Sequence, residues 1–256
     1  MANTYADKGF TEVITIKFDN ELRDIQKLIY NKTKKLLSEH DSSISLEKKL
    51  KVPFKVIPSS NDWSILMKEV NESNELKRII ESNPIKDAFK TIFKEPVPFK
   101  VSAFRARVPS QKRVIYNWHQ DEGTWYLSND ESYNKKFPAT LWLSLNGADE
   151  NDSIQLLQGS HKIKLYEHTM VEGQGYFNIK KNKDDLIENK KINTIRTHPS
   201  QGIIFHPLMV HRSVLPKANY MVPRYSIDIR YYDRQLESGY KVDFLFKLKK
   251  IAKLFF

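Results

Sequence analysis

Hydrophobic residues in the first hundred positions recur at the spacing of α-helices. Leucine and isoleucine return every three or four positions over residues 20–39, behind two polar capping residues, which predicts an amphipathic helix. The same spacing predicts helices at about 61–71 and 74–93, with an interruption of the second near Pro84. An early strand is expected at 11–18. We expect these helices to pack on one face of a sheet and to support it.

After its first hundred residues the chain changes to the alternating pattern of β-strands. Residues 100–108 and 139–145 alternate most clearly, as half-buried strands do. In the second of these strands Thr140, Trp142 and Ser144 share one face, while three leucines share the other. The more polar face suits a cavity, and the leucines suit contact with the helices. The pattern therefore predicts a mainly β fold with flanking helices.

Two histidines and one aspartate are candidate metal ligands. His119 and Asp121 are two residues apart in a segment predicted to be extended, so both side chains can face one metal ion. His211 lies far downstream, after a pattern typical of a buried strand and a short turn. Two histidines and one carboxylate form the facial triad of non-heme Fe(II) oxygenases, which leaves three metal positions open. A His-x-Asp pair alone is weak evidence, because most such pairs are accidents of the surface.

An arginine downstream of His211 is a candidate for binding a carboxylate. Arg224 lies in another alternating strand over 223–230, and in a rolled antiparallel sheet its guanidinium could enter the same cavity as the metal. The planar fork of arginine pairs with both oxygens of a carboxylate, as is needed to hold the far end of a dicarboxylate. Ser226 is two residues further on and therefore shares the face of Arg224.

Several motifs follow one another in a specific order over about residues 100–235. They are His119-Gln120-Asp121, Asn146-Gly147, Gln158-Gly159-Ser160-His161, Gly202 to Phe205, His211-Arg212-Ser213 and Pro223 to Arg230. In this order they resemble the phytanoyl-CoA dioxygenase family of Fe(II)/2-oxoglutarate-dependent oxygenases. One position departs from the family pattern: Gln158 stands where a proline usually precedes Gly-Ser-His. We expect a change of loop shape there, without loss of iron.

The resemblance implies a double-stranded β-helix, or jelly-roll, core and an N-terminal helical layer. It implies that Fe(II) is bound by His119, Asp121 and His211. It also implies that the co-substrate 2-oxoglutarate is held by four further residues, with the first of them on its distal carboxylate: Arg224, Ser226, Ser213 and Trp142.

The implied reaction is hydroxylation of an unactivated C–H bond of a small substrate, anionic or carrier-linked, in a biosynthetic pathway, with dioxygen as oxidant. In related halogenases a small residue replaces the carboxylate ligand and leaves room for halide, so Asp121 favours hydroxylation. Desaturation and ring formation share the first hydrogen abstraction and stay open as alternatives.

The remaining histidines are expected to have no part in metal binding. His206 precedes His211 by five residues, so on a continuous strand the two side chains would face opposite sides. The resemblance implies that His161 shapes a turn near the pocket. His168 and His198 lie in polar surroundings and are expected at the surface.

Four more arginines have two interpretations each. Arg105 and Arg107 alternate on one face just before the ligand motif, so either can meet an anionic substrate or support the fold through a salt bridge. Arg230 and Arg234 carry the same ambiguity, and Asp228 is a ready local partner for Arg230.

Composition agrees with an enzyme of one principal domain. The length of 256 residues permits one or two domains. We expect a single domain over 1–240, with the helical layer over about 19–95 and the jelly-roll core over about 97–235. The absence of cysteine excludes disulfides and thiolate metal sites. No segment has the apolar length of a signal peptide or a membrane-spanning helix, so the cytoplasm is the expected location.

The formal net charge of +11 has two interpretations: the lysines are ordinary solvated surface, or the basic surface attracts anions at long range. The second interpretation favours an anionic substrate. The basic residues are scattered and match no nucleic-acid-binding fold, so no nucleic-acid partner is expected. Lysine and apolar residues interleave over 241–256, which predicts a basic amphipathic helix. Such a helix either docks on its own domain or a second subunit, or contacts a membrane or a partner. A non-catalytic jelly-roll that binds at a membrane or in a complex is the alternative function, and the oligomeric state is open.

Overall fold

The computed structural model describes residues 2–18, 20–107, 116–123, 136–163, 165–170, 177–180, 183–215 and 220–236. Its helices are α1 (Ala2–Lys8), α2 (Glu21–Thr33), α3 (Leu46–Lys49), α4 (Ser60–Asn71), α5 (Asn74–Glu81), α6 (Asn83–Phe89) and α7 (Lys183–Ile187). Short 3-10 turns lie at Lys34–Leu36, Ser160–Lys162 and Arg234–Leu236. The strands are β1 (Ile14–Thr15), β2 (Pro96–Pro98), β3 (Ala103–Arg107), β4 (Ala139–Ser144), β5 (Ile154–Leu157), β6 (His168–Met170), β7 (Phe177–Ile179), β8 (Ile192–Thr194), β9 (Gln201–Phe205), β10 (His211–Ser213) and β11 (Arg224–Asp233).

The predicted helices form because polar residues cap their ends and apolar residues cover the face that is buried. In α4 the Ser59 hydroxyl accepts the backbone N–H of Asp62, whose carboxylate accepts the N–H of Ser59, a capping box. The predicted helix over 74–93 is confirmed as two helices, α5 and α6. The break lies just before Pro84, because proline fits a first helical turn and not a helix interior.

Two elements predicted for this region are shorter in the structure, a helix and a strand. The helix expected over 20–39 ends at Thr33 and continues only as a 3-10 turn. The strand expected over 11–18 contains only β1, because pairing with β9 is limited to two residue pairs. The short helices α1 and α3 were not predicted.

The strands form antiparallel sheets that curl around a cavity. The large sheet has the order β1-β9-β4-β11-β2, and β3 pairs with the other end of the same edge of β11. A smaller sheet has the order β10-β5-β8, and β6 pairs with β7. This mainly β arrangement with several helices is the fold class that the sequence predicts.

Strand β4 separates two hydrophobic clusters, as its alternation predicts. Leu141 and Leu143 pack into the cluster that contains Ile25 and Ile29 of α2. Trp142, on the opposite face, packs with residues of the smaller sheet, Ile154 and Leu156 in β5. The helical layer therefore covers the outer face of the large sheet, and the inner face is left for the cavity.

Among the described residues, no helix has the length and apolar character needed to cross a membrane. The amphipathic helix predicted at 241–256 lies outside the described residues.

Gly202 in β9 lies where β9 and β4 pack closely, so a substitution there tests that packing. A β-carbon here would overlap the carbonyl oxygen of Trp142 and contact the backbone of Leu143. We expect Gly202→Ala to lower the free energy of unfolding by about 1–3 kcal/mol, because added volume forces the strands to shift. Chemical denaturation measures this change. Val13→Ala, at a residue 42% exposed, is the control and should change stability little. Wild-type stability of Gly202→Ala would contradict the strand packing described.

Candidate metal centre and co-substrate pocket

The two candidate histidine ligands lie side by side because their backbones pair. His119 and His211 form an isolated antiparallel bridge, with N–H to carbonyl distances of 2.9 and 3.0 Å in the two directions. Directly opposed residues of an antiparallel pair place their side chains on the same face. The two imidazole ring centres are accordingly 4.1 Å apart.

Asp121 completes the group from a position that differs slightly from the one predicted. The extended segment ends at Gln120, and Asp121 begins a helical turn. Its Oδ1 nevertheless lies 3.9 Å from Nε2 of His119 and 3.8 Å from Nε2 of His211. All three side chains are buried, and their ligand atoms lie within 4.8 Å of one another. The three ligands predicted from the sequence therefore lie close together in the folded protein.

Hydrogen bonds orient both imidazoles so that their Nε2 atoms face Oδ1 of Asp121. Nδ1 of His119 donates to the carbonyl of Asn117 at 2.7 Å, and Nδ1 of His211 donates to the carbonyl of Met209 at 2.9 Å. The Nε2 lone pairs are then left for a metal, as is usual for metal-binding histidines. Burial, together with neighbouring His211, lowers the pKa of His119 to about 3, so this imidazole is neutral at physiological pH. The donor set fits a divalent transition metal such as Fe(II).

The carboxylate of Asp121 is ionised and held by two donors. Burial opposes its ionisation, but Arg230 and the two histidines outweigh burial and hold its pKa below the ordinary value. Its Oδ2 accepts hydrogen bonds from Thr140 Oγ1 at 2.7 Å and from Arg230 Nη2 at 3.2 Å. Oδ2 therefore faces the sheet, and Oδ1 faces the histidines.

A cavity of about 670 Å³, including its open mouth, surrounds this group. Its wall contains the expected pocket residues Arg224, Ser213 and Trp142. The guanidinium carbon of Arg224 is 5.5 Å from the Trp142 ring centre. Ser226 is on the same face of β11 and is fully buried, but its hydroxyl donates to the carbonyl of Arg105 at 3.4 Å and it is not part of the wall.

Arg224 is prepared to bind an anion. It is 5% exposed, and its Nε and Nη1 have no hydrogen-bond partner among the residues that the structure describes. A buried cationic donor without a partner is costly. A ligand carboxylate that accepts from both nitrogens would remove that cost, so the arrangement fits one end of 2-oxoglutarate.

Arg107, for which the sequence leaves open substrate binding or structural support, is a second buried arginine with donors unpaired among the described residues, and the sequence did not indicate that it pairs with Arg224. Arg107 of β3 pairs directly with Arg224 of β11, and it is 2% exposed. Both of its Nη atoms lack a hydrogen-bond partner within the described ranges. Burial and then the charge of Arg224 lower the pKa of Arg107 to about 10. The strand register, which a sequence alone does not give, is what places the two guanidinium groups together.

The expected ion pair between Arg230 and Asp228 is present, but it is the longer of the two that Arg230 makes. Asp228 accepts from Nε of Arg105 at 2.9 Å and lies 4.0 Å from Arg230. Arg230 instead makes its shorter ion pair with Asp121. Asp228 is placed between two arginines on the same face of the sheet, and Arg105 takes the closer contact.

The expectation that His168 lies at the surface is wrong. His168 is 8% exposed, and its Nε2 accepts the backbone N–H of Gln120, between two of the ligands, at 3.0 Å. The side chain packs against the segment 120–123, where a β-carbon on Gly123 would overlap the His168 ring, and its polar sequence neighbours give no signal of that. His206 lies outside the ligand group, as expected, and packs against His161 with ring centres 5.3 Å apart.

Comparisons with known proteins find one matching family model and several structures of similar fold. A family model described as Phytanoyl-CoA dioxygenase (PhyH) matches residues 9–214. An apo structure of the non-heme monooxygenase ThoJ has a TM-score of 0.59 at 16% identity, covering 91% of this chain and 76% of that one. EctD from S. alaskensis with bound Fe has a TM-score of 0.60 at 14% identity, with 92% and 76% coverage. SnoK, a non-heme alpha ketoglutarate dependent carbocyclase from nogalamycin biosynthesis, has 0.55 at 14%, with 91% and 82% coverage.

At these identities the structural likeness establishes the fold, which is the jelly-roll that the sequence predicts. No curated protein sequence matches the chain.

The ligand group makes a direct prediction about metal affinity. Alanine at Asp121 or at His211 removes one of three donor atoms, so we expect the affinity for Fe(II) to fall by more than about 100-fold. Anaerobic calorimetric titration of metal-free protein measures it. His198→Ala, at an exposed histidine, is the matched control and should bind as wild type does. Undiminished Fe(II) binding by Asp121→Ala would refute the ligand assignment.

Proposed function

The chain belongs to the phytanoyl-CoA dioxygenase family, and on that premise we propose that it hydroxylates an unactivated C–H bond of a small anionic substrate. It is an Fe(II)- and 2-oxoglutarate-dependent oxygenase. The observation that carries the proposal is the convergence on one cavity of two histidines, one ionised aspartate and a buried arginine whose Nε and Nη1 have no hydrogen-bond partner among the described residues.

His119, Asp121 and His211 would hold the iron. When bound, iron and 2-oxoglutarate together activate dioxygen for the oxidation of a C–H bond. The residues of this chain fix the ligand atoms in advance: the carbonyls of Asn117 and Met209 set the histidine tautomers. Because Asp121 supplies the third donor, its place is not open to a halide, which supports hydroxylation over halogenation.

Arg224 would bind the distal carboxylate of 2-oxoglutarate. Its guanidinium is buried beside Trp142, so water competes little for its donors and the ion pair is strong. Ser213 forms the adjacent part of the cavity wall. Ser226 would assist by fixing β11 to β3 through the carbonyl of Arg105. Arg107, which pairs with Arg224 across β3 and β11, adds a second positive charge beside it.

The charges of the cavity wall support an anionic substrate. The wall contains four arginines and two aspartates. The charges of Fe(II) and of doubly ionised 2-oxoglutarate cancel, so the loaded cavity keeps an excess of positive charge. An excess of buried charge is unfavourable unless a ligand of opposite charge compensates it. Arg212 lines the cavity and has no acidic partner among the described residues, so we expect it to bind a carboxylate or phosphate of the substrate. Arg105 pairs with Asp228, but its side chain is 34% exposed and can contribute to the same contact.

We also propose that residues 1–240 form one oxygenase domain, in which the helical layer supports the barrel. Met67 of α4 lies in the cavity wall, so the helical layer contributes to the site as well as to the core.

The role of Arg224 predicts a selective loss of co-substrate affinity. Arg224→Gln should raise the 2-oxoglutarate concentration needed for half-saturation by at least about 30-fold, corresponding to about 2 kcal/mol for a buried charged pair. Affinity for 2-oxopentanoate, which lacks the distal carboxylate, should stay the same or improve. Anaerobic titration of the Fe(II)-loaded protein measures both. Arg234→Gln, at an exposed arginine close to the end of β11, is the control.

Equal losses for both 2-oxo acids would mean that Arg224 acts on the structure and not on the distal carboxylate.

The proposed reaction predicts both product and charge preference. Candidate substrates are offered in pairs that differ only in an anionic group, as free carboxylate and as methyl ester. We expect succinate formation to be stimulated by the anionic member, and ¹⁸O₂ to place one labelled oxygen atom in its product. Mass spectrometry measures both. Equal stimulation by esters would contradict an anionic substrate, and a product without labelled oxygen would contradict hydroxylation.

A further inference from the structure

We propose that Thr140 and Arg230 are positioning residues that hold one oxygen of Asp121 away from the metal, so that this carboxylate binds iron through its other oxygen alone. The inference rests on the proposed ligand set and adds two residues to it that do not touch the metal.

The two donors come from one cross-strand pair. Thr140 of β4 and Arg230 of β11 are directly opposed in the register of the large sheet. Opposed residues in an antiparallel pair have side chains on the same face, about 5 Å apart at their β-carbons. A single carboxylate oxygen can therefore accept from both, as Oδ2 of Asp121 does at 2.7 and 3.2 Å.

Both donors are fixed by their surroundings. Thr140 is fully buried and Arg230 is 4% exposed. Nη1 of Arg230 donates to the carbonyl of Val101 at 3.0 Å, and its backbone N–H donates to Ser102 Oγ at 3.1 Å. Its Nη2 also lies 4.0 Å from the carboxylate of Asp228. The backbone and the Nη1 atom of Arg230 are thus both held by residues 101 and 102, and Nη2 is directed to Asp121.

The hydrogen bonds leave the two oxygens of Asp121 unequal. Oδ2 is occupied by two donors, one of them charged, and charge-assisted hydrogen bonds are among the strongest in proteins. Oδ1 has no such donor among the described residues and lies 3.8 to 3.9 Å from both histidine Nε2 atoms. Turning the carboxylate so that both oxygens face the metal would break the bonds to Thr140 and Arg230.

This difference decides how many metal positions stay open. With one oxygen from Asp121 and one nitrogen from each histidine, three of six positions are left. A carboxylate bound through both oxygens would leave two, and a chelating 2-oxo acid alone would fill them. The pair Thr140 and Arg230 would therefore preserve the position needed by the second co-substrate.

Nitric oxide is a suitable probe, because it binds an open position next to Fe(II) without turnover and gives a characteristic paramagnetic resonance signal. Protein loaded anaerobically with Fe(II) and 2-oxoglutarate is titrated with nitric oxide. We expect a full signal in wild type and a loss of nitric oxide affinity of about 10- to 100-fold in the double variant Thr140→Val, Arg230→Met. Iron and 2-oxoglutarate binding should persist in that variant. Arg230→Lys, which keeps one charged donor, should recover part of the affinity.

The controls separate positioning from folding and from the proposed function. Thr169→Val, at an exposed threonine in β6, should titrate as wild type does. If the double variant does not fold, the near-isosteric Thr140→Val alone is used, and a several-fold loss is expected. A wild-type nitric oxide signal in a folded variant that holds iron and 2-oxoglutarate would overturn the proposal. Failure of the wild-type protein to bind Fe(II) and 2-oxoglutarate would instead overturn the ligand assignment itself.

Discussion

The buried ion pair between Asp121 and Arg230 is the contact on which the arrangement of the site depends. It joins the segment that carries two ligands to the longest strand of the large sheet. Both groups are almost fully buried, and a buried ion is tolerated only when it is paired and hydrogen-bonded. Thr140 supplies the additional hydrogen bond. The desolvated carboxylate of Asp121 is thus held in one orientation by its own protein partners, independently of a metal.

Alternation along β11 connects this pair with the rest of the cavity. Arg224, Asp228 and Arg230 lie on its inner face and line the cavity. The residues between them, such as Tyr225 and Ile227, pack into the hydrophobic cluster beneath the helical layer. A slip of one residue in the register of β11 would move its charged side chains to the face beneath the helices and its apolar side chains into the cavity. Stability of the core and geometry of the site are therefore set by the same register.

The sequence predicts those features that depend on local pattern or on motif order. Alternation in β4 assigns Trp142 to the cavity and its leucine neighbours to the helices, and Pro84 marks the break between α5 and α6. Motif order identifies the three ligands and Arg224. The sequence did not predict contacts that depend on the exact strand register or on side chains far apart in the chain. Arg230 was matched with its neighbour Asp228, although its closer partner lies more than a hundred residues away.

The placement of Arg107 and of His168 shows the same limit. Nothing near Arg107 in sequence indicates that β3 would set it opposite Arg224. His168 reads as a surface residue because its neighbours are polar, yet a hydrogen bond to the backbone between two ligands buries it.

The most direct test of the iron site is an anaerobic titration of the metal-free protein with Fe(II) in the presence of 2-oxoglutarate, followed by visible absorption. We expect the charge-transfer band of a chelated 2-oxo acid, saturating at one equivalent of iron in the wild-type protein. The band should be absent when Asp121 is replaced by alanine. No band in the wild type, or a band of full strength in that variant, would contradict the assignment of His119, Asp121 and His211 as the iron site.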